Sequence, residues 1–207
     1  MREKYTNVLV LGSFRANTES DGYAALRDDF EIDLRTMVVK VWDSNGGYSL
    51  VIPGSSIRGL IRRQAERLDS SKEVVRELFG DDITVAVSSK PRPGKLVVGF
   101  GRVEGLEDLP SYKRYGIRIT RLGTVERNAL YSYEFLRGSE PLRVVFDVVS
   151  LIPLSEGEKK LLANSILCLK YSNVGWGASR GLGLVVGVEL DGKLKQFSDA
   201  QRGGGVG

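Results

Sequence analysis

Leu142-Arg-Val-Val-Phe-Asp-Val-Val-Ser-Leu-Ile152, followed by Pro153-Leu-Ser155-Glu-Gly-Glu158, is where the fold of this chain becomes readable. The first run is rich in β-branched residues and reads as a strand. The proline ends it, and Ser155 and Glu158 stand at the Ser-x-x-Glu spacing of a capping box, which opens a helix. Leu161, Leu162, Ile166 and Leu169 give that helix an apolar face. A glycine-rich loop, Gly175-Trp-Gly-Ala-Ser-Arg-Gly-Leu-Gly183, then delivers a last strand over 184–190. The first half repeats the order. Residues 5–14 read as a strand, 36–42 and 48–52 as strands about a turn at 43–47, and Pro53-Gly-Ser-Ser56 opens a helix over 55–68. Ser55 or Ser56 is its expected N-cap, with Ile57, Ile61, Ala65 and Leu68 on one side and Arg62, Arg63 and Arg67 on the other. A short helix at 71–79, a glycine-broken strand at 95–104 and a hairpin over 115–136 with its tip near Gly123 complete the pass. Stripped of excursions, the order is strand, helix, strand, twice over. That pattern predicts an α+β chain with a ferredoxin-like (RRM-like) antiparallel sheet, two main helices, insertions and a β-hairpin.

The 207 residues suit one domain, placed at 1–197. Within it, 15–35 is an irregular acidic insertion and 112–137 a projecting hairpin; 198–207 is a small, polar, flexible tail. The chain has no histidine. This excludes Ser-His and Cys-His triads and imidazole-based zinc sites, leaving carboxylates, amines, hydroxyls or an oxygen-bound hard metal for any chemistry. Lys and Arg outnumber Asp and Glu by 30 to 26, and 19 of the 30 are arginine, the side chain that forks onto phosphate. The single cysteine, Cys168, lies in an apolar run and reads as core filler. No apolar run approaches membrane-spanning length and no signal architecture opens the chain, so a cytoplasmic protein is expected.

Four features bear on chemistry. Gly54-Ser-Ser-Ile-Arg-Gly-Leu-Ile-Arg-Arg63 puts glycine, hydroxyls and free amides at a helix N-terminus, an anion site that Arg58 and Arg62 extend; a capped helix with a solvated basic face is the ordinary alternative. The 175–183 loop sets four glycines around Arg180, which allows close backbone approach to a phosphate chain; a glycine-rich turn is the alternative. It is neither a dinucleotide fingerprint nor a Walker A loop. Asp28, Asp29, Glu31 and Asp33 could orient a hydroxyl or hold a divalent ion, or simply solubilise a loop. Finally, the hairpin interleaves Tyr112, Tyr115, Tyr131 and Tyr133 with Lys113, Arg114, Arg118, Arg121 and Arg127, a mixture that suits stacking on bases and that exposed hairpins also show.

Together, Ile52-Pro-Gly-Ser-Ser-Ile-Arg-Gly-Leu-Ile-Arg-Arg63 with Leu78-Phe-Gly80, then Ile119–Thr124 and Ala129–Glu134, then Gly175–Gly183 resemble the ordered motifs of the RAMP superfamily of CRISPR systems. Size and the Pro-Gly-Ser-Ser form look most like the repeated backbone subunit of type III (Csm or Cmr) effector complexes. The resemblance implies head-to-tail assembly along a CRISPR RNA with other subunits or copies of itself, and pairing with a complementary target RNA. It implies guide contacts from Ser55, Ser56, Arg58, Arg62, Gly177, Arg180 and Gly181, and a thumb around Arg121–Asn128 that kinks the duplex. In active members a loop aspartate cuts target RNA with a divalent metal (Mg or Mn) through 2′-hydroxyl attack, leaving a cyclic phosphate. Asp33 is nearest by order, with Asp28 and Asp29 as alternatives. A silent scaffold or end subunit, and an endoribonuclease that matures CRISPR transcripts, are the rival readings; the latter leans on histidine. An unrelated RRM-type protein would need an aromatic-rich sheet strand, which the sequence lacks.

Overall fold

The structure, a computed structural model, describes residues 2–11, 39–42, 48–69, 72–81, 91–104, 111–136, 141–175 and 177–198. The acidic insertion 15–35, with Asp28, Asp29 and Asp33, the turn at 43–47 and residues 199–207 of the tail lie outside the described residues. The elements are β1 (Glu3–Leu11), β2 (Val39–Trp42), β3 (Tyr48–Ile52), α1 (Gly54–Leu68), α2 (Glu73–Phe79), β4 (Leu96–Val98), β5 (Gly101–Glu104), β6 (Ser111–Ile119), β7 (Val125–Leu136), β8 (Leu142–Ser150), α3 (Glu156–Leu167), β9 (Val185–Glu189) and α4 (Gly192–Lys195).

Seven strands form one antiparallel sheet in the order β2-β3-β5-β8-β1-β9, with β4 also on β8; β6 and β7 pair separately as a two-stranded hairpin. Numbered by the repeated motif, β9, β1, β8 and β5 are strands four, one, three and two, the ferredoxin-like order. The fold is therefore α+β and ferredoxin-like, with β2 and β3 extending one edge. Alternate residues of β1 (Tyr5, Leu9, Leu11) and β8 (Val144, Phe146, Val148) point to the helical face and are buried there. Ile57, Ile61 and Ala65 of α1 and Leu162, Ala163 and Ile166 of α3 close the same core. Period two thus meets period 3.6 in one apolar layer.

The capping box forms in full: the Ser155 hydroxyl accepts from the Glu158 amide and the Glu158 carboxylate accepts from the Ser155 amide. Other expectations shift. Neither Ser55 nor Ser56 caps α1. Pro53 occupies the N-cap position, its carbonyl accepting from Ser56 and Ile57, and both serines sit inside the first turn. The reason is the close seat of Gly54, where an added Cβ would fall on the Val98 and Gly99 carbonyls, so the helix starts against the sheet one residue early. The strand at 95–104 is two strands broken at Gly99-Phe100, both on β8, with the Gly99 amide still bonded to Asp147 O. Leu68 lies on the apolar stripe by angle yet is half exposed, because the helix ends beyond its last packed turn, while Gln64 is buried in the stripe. Cys168 is only half-buried, at the joint between α3 and the 3₁₀ turn Cys168–Tyr171.

Candidate nucleic-acid interface

The first turns of α1 are anchored from below. Gly54 rests on the β4–β5 break, and a Cβ at Gly101 would meet the Ile57 side chain at 2.6 Å. That anchorage leaves the helix N-terminus, with the positive end of its dipole, at the surface beside the segment following α3. Between them runs a groove of about 440 Å³. Ser55, Ser56, Gly59, Arg63 and Arg67 form one wall; Tyr171, Asn173, Gly175 and Ala178 form the other. No carboxylate is among its described lining residues, so two guanidiniums and a helix N-terminus set its potential.

The second wall is rigid for reasons of backbone. Gly175, Gly177, Gly181 and Gly183 all take positive φ, between 67° and 85°. At Gly183 an added Cβ would also collide with the Val174 carbonyl, so only glycine fits. Bonds from Val174 N to Gly183 O (2.8 Å), Val185 N to Ser172 O (3.1 Å) and the Asn173 amide to Leu182 O (2.8 Å) close the loop base. Gly177 and Gly181 bracket the 3₁₀ turn Ala178–Arg180; the Arg180 side chain lies outside the described residues. Tyr171 stands at the rim, 81% exposed, which for an aromatic ring is unusual.

Structure and sequence divide the arginines differently. Ser55, Ser56 and the glycine-rich segment come together, but Arg58 and Arg62 stand on the opposite flank of α1 and line a second groove of about 580 Å³ with Asp81, Arg92 and Gly94. Arg58 donates to the Phe79 carbonyl and lies 5.8 Å over the Phe79 ring. Burial and the Arg62 charge pull its pKa down. Arg62 pairs with Glu66 at 2.9 Å. Arg63, Arg67, Tyr171 and Asn173 were not singled out from sequence as groove residues. The signal was there for two of them: at about 100° per residue, Ser56, Arg63 and Arg67 share one stripe and Arg58 and Arg62 another.

Arg121 and Leu122 lie exposed at the hairpin tip, which closes through Thr120 N to Thr124 O (2.8 Å) and Gly123 N to Thr120 O (3.0 Å). Ile117, Arg118, Ile119 and Tyr131 frame a shallow recess on the same hairpin. The open face of the main sheet has another character. Arg143 bridges Glu104 (3.2 Å) and Glu189 (2.7 Å), Lys4 pairs with Asp147 (2.8 Å), and no described aromatic stands between them. Between those ion pairs the described side chains form no RRM-like stacking platform. Among the described residues no three carboxylate or thiol groups gather where a metal ion would fit. No described helix is long and apolar enough to cross a membrane.

Comparison with known proteins supplies the remaining evidence. No curated protein matches the chain. The family model of the RAMP superfamily matches residues 42–186, a span that takes in both walls of the serine–glycine groove, the second groove and the hairpin. The match covers well over half of the chain, the fold seen here is ferredoxin-like as in that family, and the chain belongs to the RAMP superfamily, a CRISPR-associated RNA-binding module of multi-subunit complexes.

Proposed function

We propose that the groove between α1 and the segment 171–178 holds the backbone of a CRISPR RNA, and that the protein is a repeated backbone subunit of a type III, RNA-guided complex. What carries the reading is the convergence of the two walls on one cation-lined channel with no carboxylate among its described lining residues. Arg63 and Arg67 fork onto phosphates, the positive end of the α1 dipole adds to them, and the glycine wall lets backbone approach backbone. Tyr171 offers a ring to an unstacked base. Copies stacked head to tail would join such channels along one guide, a heterologous contact that makes a filament. The hairpin, with Arg121 at its tip, is the thumb that reaches the duplex. Co-purification from the native host, followed by sequencing of bound nucleic acid, is expected to return small RNAs sharing a repeat-derived 5′ handle. A mixed population, or none, overturns the reading.

Target cutting is assigned to Asp33. In the assembled complex, Asp33→Asn is expected to retain guide RNA and lose periodic cleavage of a matching RNA, measured with divalent metal present and with chelator. Unchanged cleavage transfers the role to Asp28 or Asp29. A wild-type complex that never cuts is a silent scaffold.

A further inference from the structure

We infer that the β6–β7 hairpin carries a self-complementary apolar strip, through which two copies of the RNA-free chain pair face to face about a twofold axis. The inference concerns the protein before it meets RNA and uses a different surface from the serine–glycine groove, so it stands or falls apart from the proposed channel.

Strand alternation puts Tyr115, Ile117 and Ile119 on one side of β6. Val125, the register partner of Ile119, continues the strip onto β7, and Leu122 ends it at the tip. Arg118 alternates to the other side. There Tyr131 lies over Gly116, where an added Cβ would fall on its ring. The five strip residues are 49% to 90% exposed, and none belongs to the core. Soluble chains scatter exposed apolar side chains singly; a row of five on one element marks a contact surface.

Among the described residues the hairpin joins no strand of the main sheet. Two strands by themselves are marginal in water and need a packed face or further strands. The open face of the main sheet is a poor match for the strip, because Lys4, Arg143 and their carboxylates would lose water along with its valines. Between Tyr115 and Ile119 the strip offers a phosphate chain no guanidinium, and four of its five side chains are aliphatic, with no ring to stack on a base. What fits a flat row of β-branched and aromatic side chains is another such row, packed as two sheets pack. The area agrees. Five residues of this size and exposure offer on the order of 600 Å² a copy, so two strips together clear the ~1,000 Å² that a specific interface needs. Charge sets the direction: antiparallel strips keep the two exposed Arg121 tips apart, whereas parallel ones would bring them together. Such a contact is isologous and closes at two copies, unlike the open head-to-tail contact of an RNA-bound filament.

The test uses the full chain, freed of nucleic acid by nuclease and high salt, in sedimentation velocity runs over a concentration series. The wild type is expected to shift from monomer to dimer as concentration rises. Ile117→Lys and Ile117→Glu, at the middle of the strip where the copies meet across the axis, are each expected to raise the dissociation constant about tenfold or more. Mixed in equal amounts, the two are expected to pair again, because opposite charges then replace the apolar contact. Leu122→Ser, at a residue 90% exposed and so without weight in folding, is expected to weaken the dimer in the same direction. Val97→Lys, the same kind of change on an exposed valine of β4, is expected to leave it unchanged. Thermal melts check that each variant folds. A wild type that stays monomeric throughout the series overturns the inference, as do a dimer that the Ile117 variants leave intact and a lysine–glutamate mixture that stays monomeric. Ile117 variants that sediment as wild type but lose affinity for an RNA duplex assign the strip to nucleic acid and overturn it too. None of these results touches the Arg63 and Arg67 groove, whose RNA is read separately by co-purification.

Discussion

Lys95 reaches two carboxylates at once, Glu77 of α2 at 2.7 Å and Glu158 of α3 at 2.6 Å. Burial pushes the Glu158 pKa up, but the Lys95 ammonium and the Ser155 contacts outweigh it and hold the carboxyl below the usual glutamate range. The two bonds in turn raise Lys95. A carboxyl whose folded pKa is depressed contributes stability above its unfolded pKa and loses it as pH falls through the folded value. Glu3, held low chiefly by Lys159, behaves alike. Acid is therefore expected to weaken the fold below the ordinary glutamate range. Lys95→Met is expected to cost about 2 kcal/mol at neutral pH, by leaving the Glu158 carboxylate without its counter-charge and held only through Ser155. That deficit should narrow as pH falls and Glu158 takes up a proton; denaturant melts at neutral and acid pH check both statements. Ser155→Ala, which removes only the cap, is expected to cost about 1 kcal/mol.

At the scale of elements, the glycine segment separates conformation from space. Gly181 has φ 73° but open room around an added Cβ; Gly183 has φ 67° and the Val174 carbonyl in the way. Gly181→Ala is expected to cost about 1 kcal/mol, the left-handed penalty alone. Gly183→Ala is expected to cost more and to weaken RNA binding as well, because the groove wall must move; equal melting temperatures for the two variants would contradict this account. The helices and strands around the segment were largely legible. The capping box at Ser155 and Glu158, the period-two burial of β8 and the i, i+4 stripe of α1 are local patterns that packing later satisfied. Less legible was the start of α1, which a glycine buried against two carbonyls decided, and the division of 95–104 into two strands. Both depend on a neighbour far away in the chain.

For the molecule as a whole, the two flanks of α1 should respond differently to salt and to ring removal. Arg63→Gln with Arg67→Gln is expected to lower RNA affinity and flatten its salt dependence, since counterion release is lost. Tyr171→Ala is expected to lower affinity by about 1–3 kcal/mol with the salt slope intact, because stacking releases no ions. A Tyr171 variant that flattens the slope instead would place the ring's role elsewhere.

By itself the sequence determined the βαβ-βαβ order, the absence of imidazole chemistry, the basic α1 and the glycine demand of 175–183, because each follows from spacing, composition or local backbone conformation. Only tertiary structure decided that Ser55 and Ser56 face Tyr171 and Gly175 across one channel, and that Arg58 turns away to Phe79. A helix periodicity says which residues share a flank, but the partner of each flank is chosen by how α2, the glycine segment and the sheet pack around it.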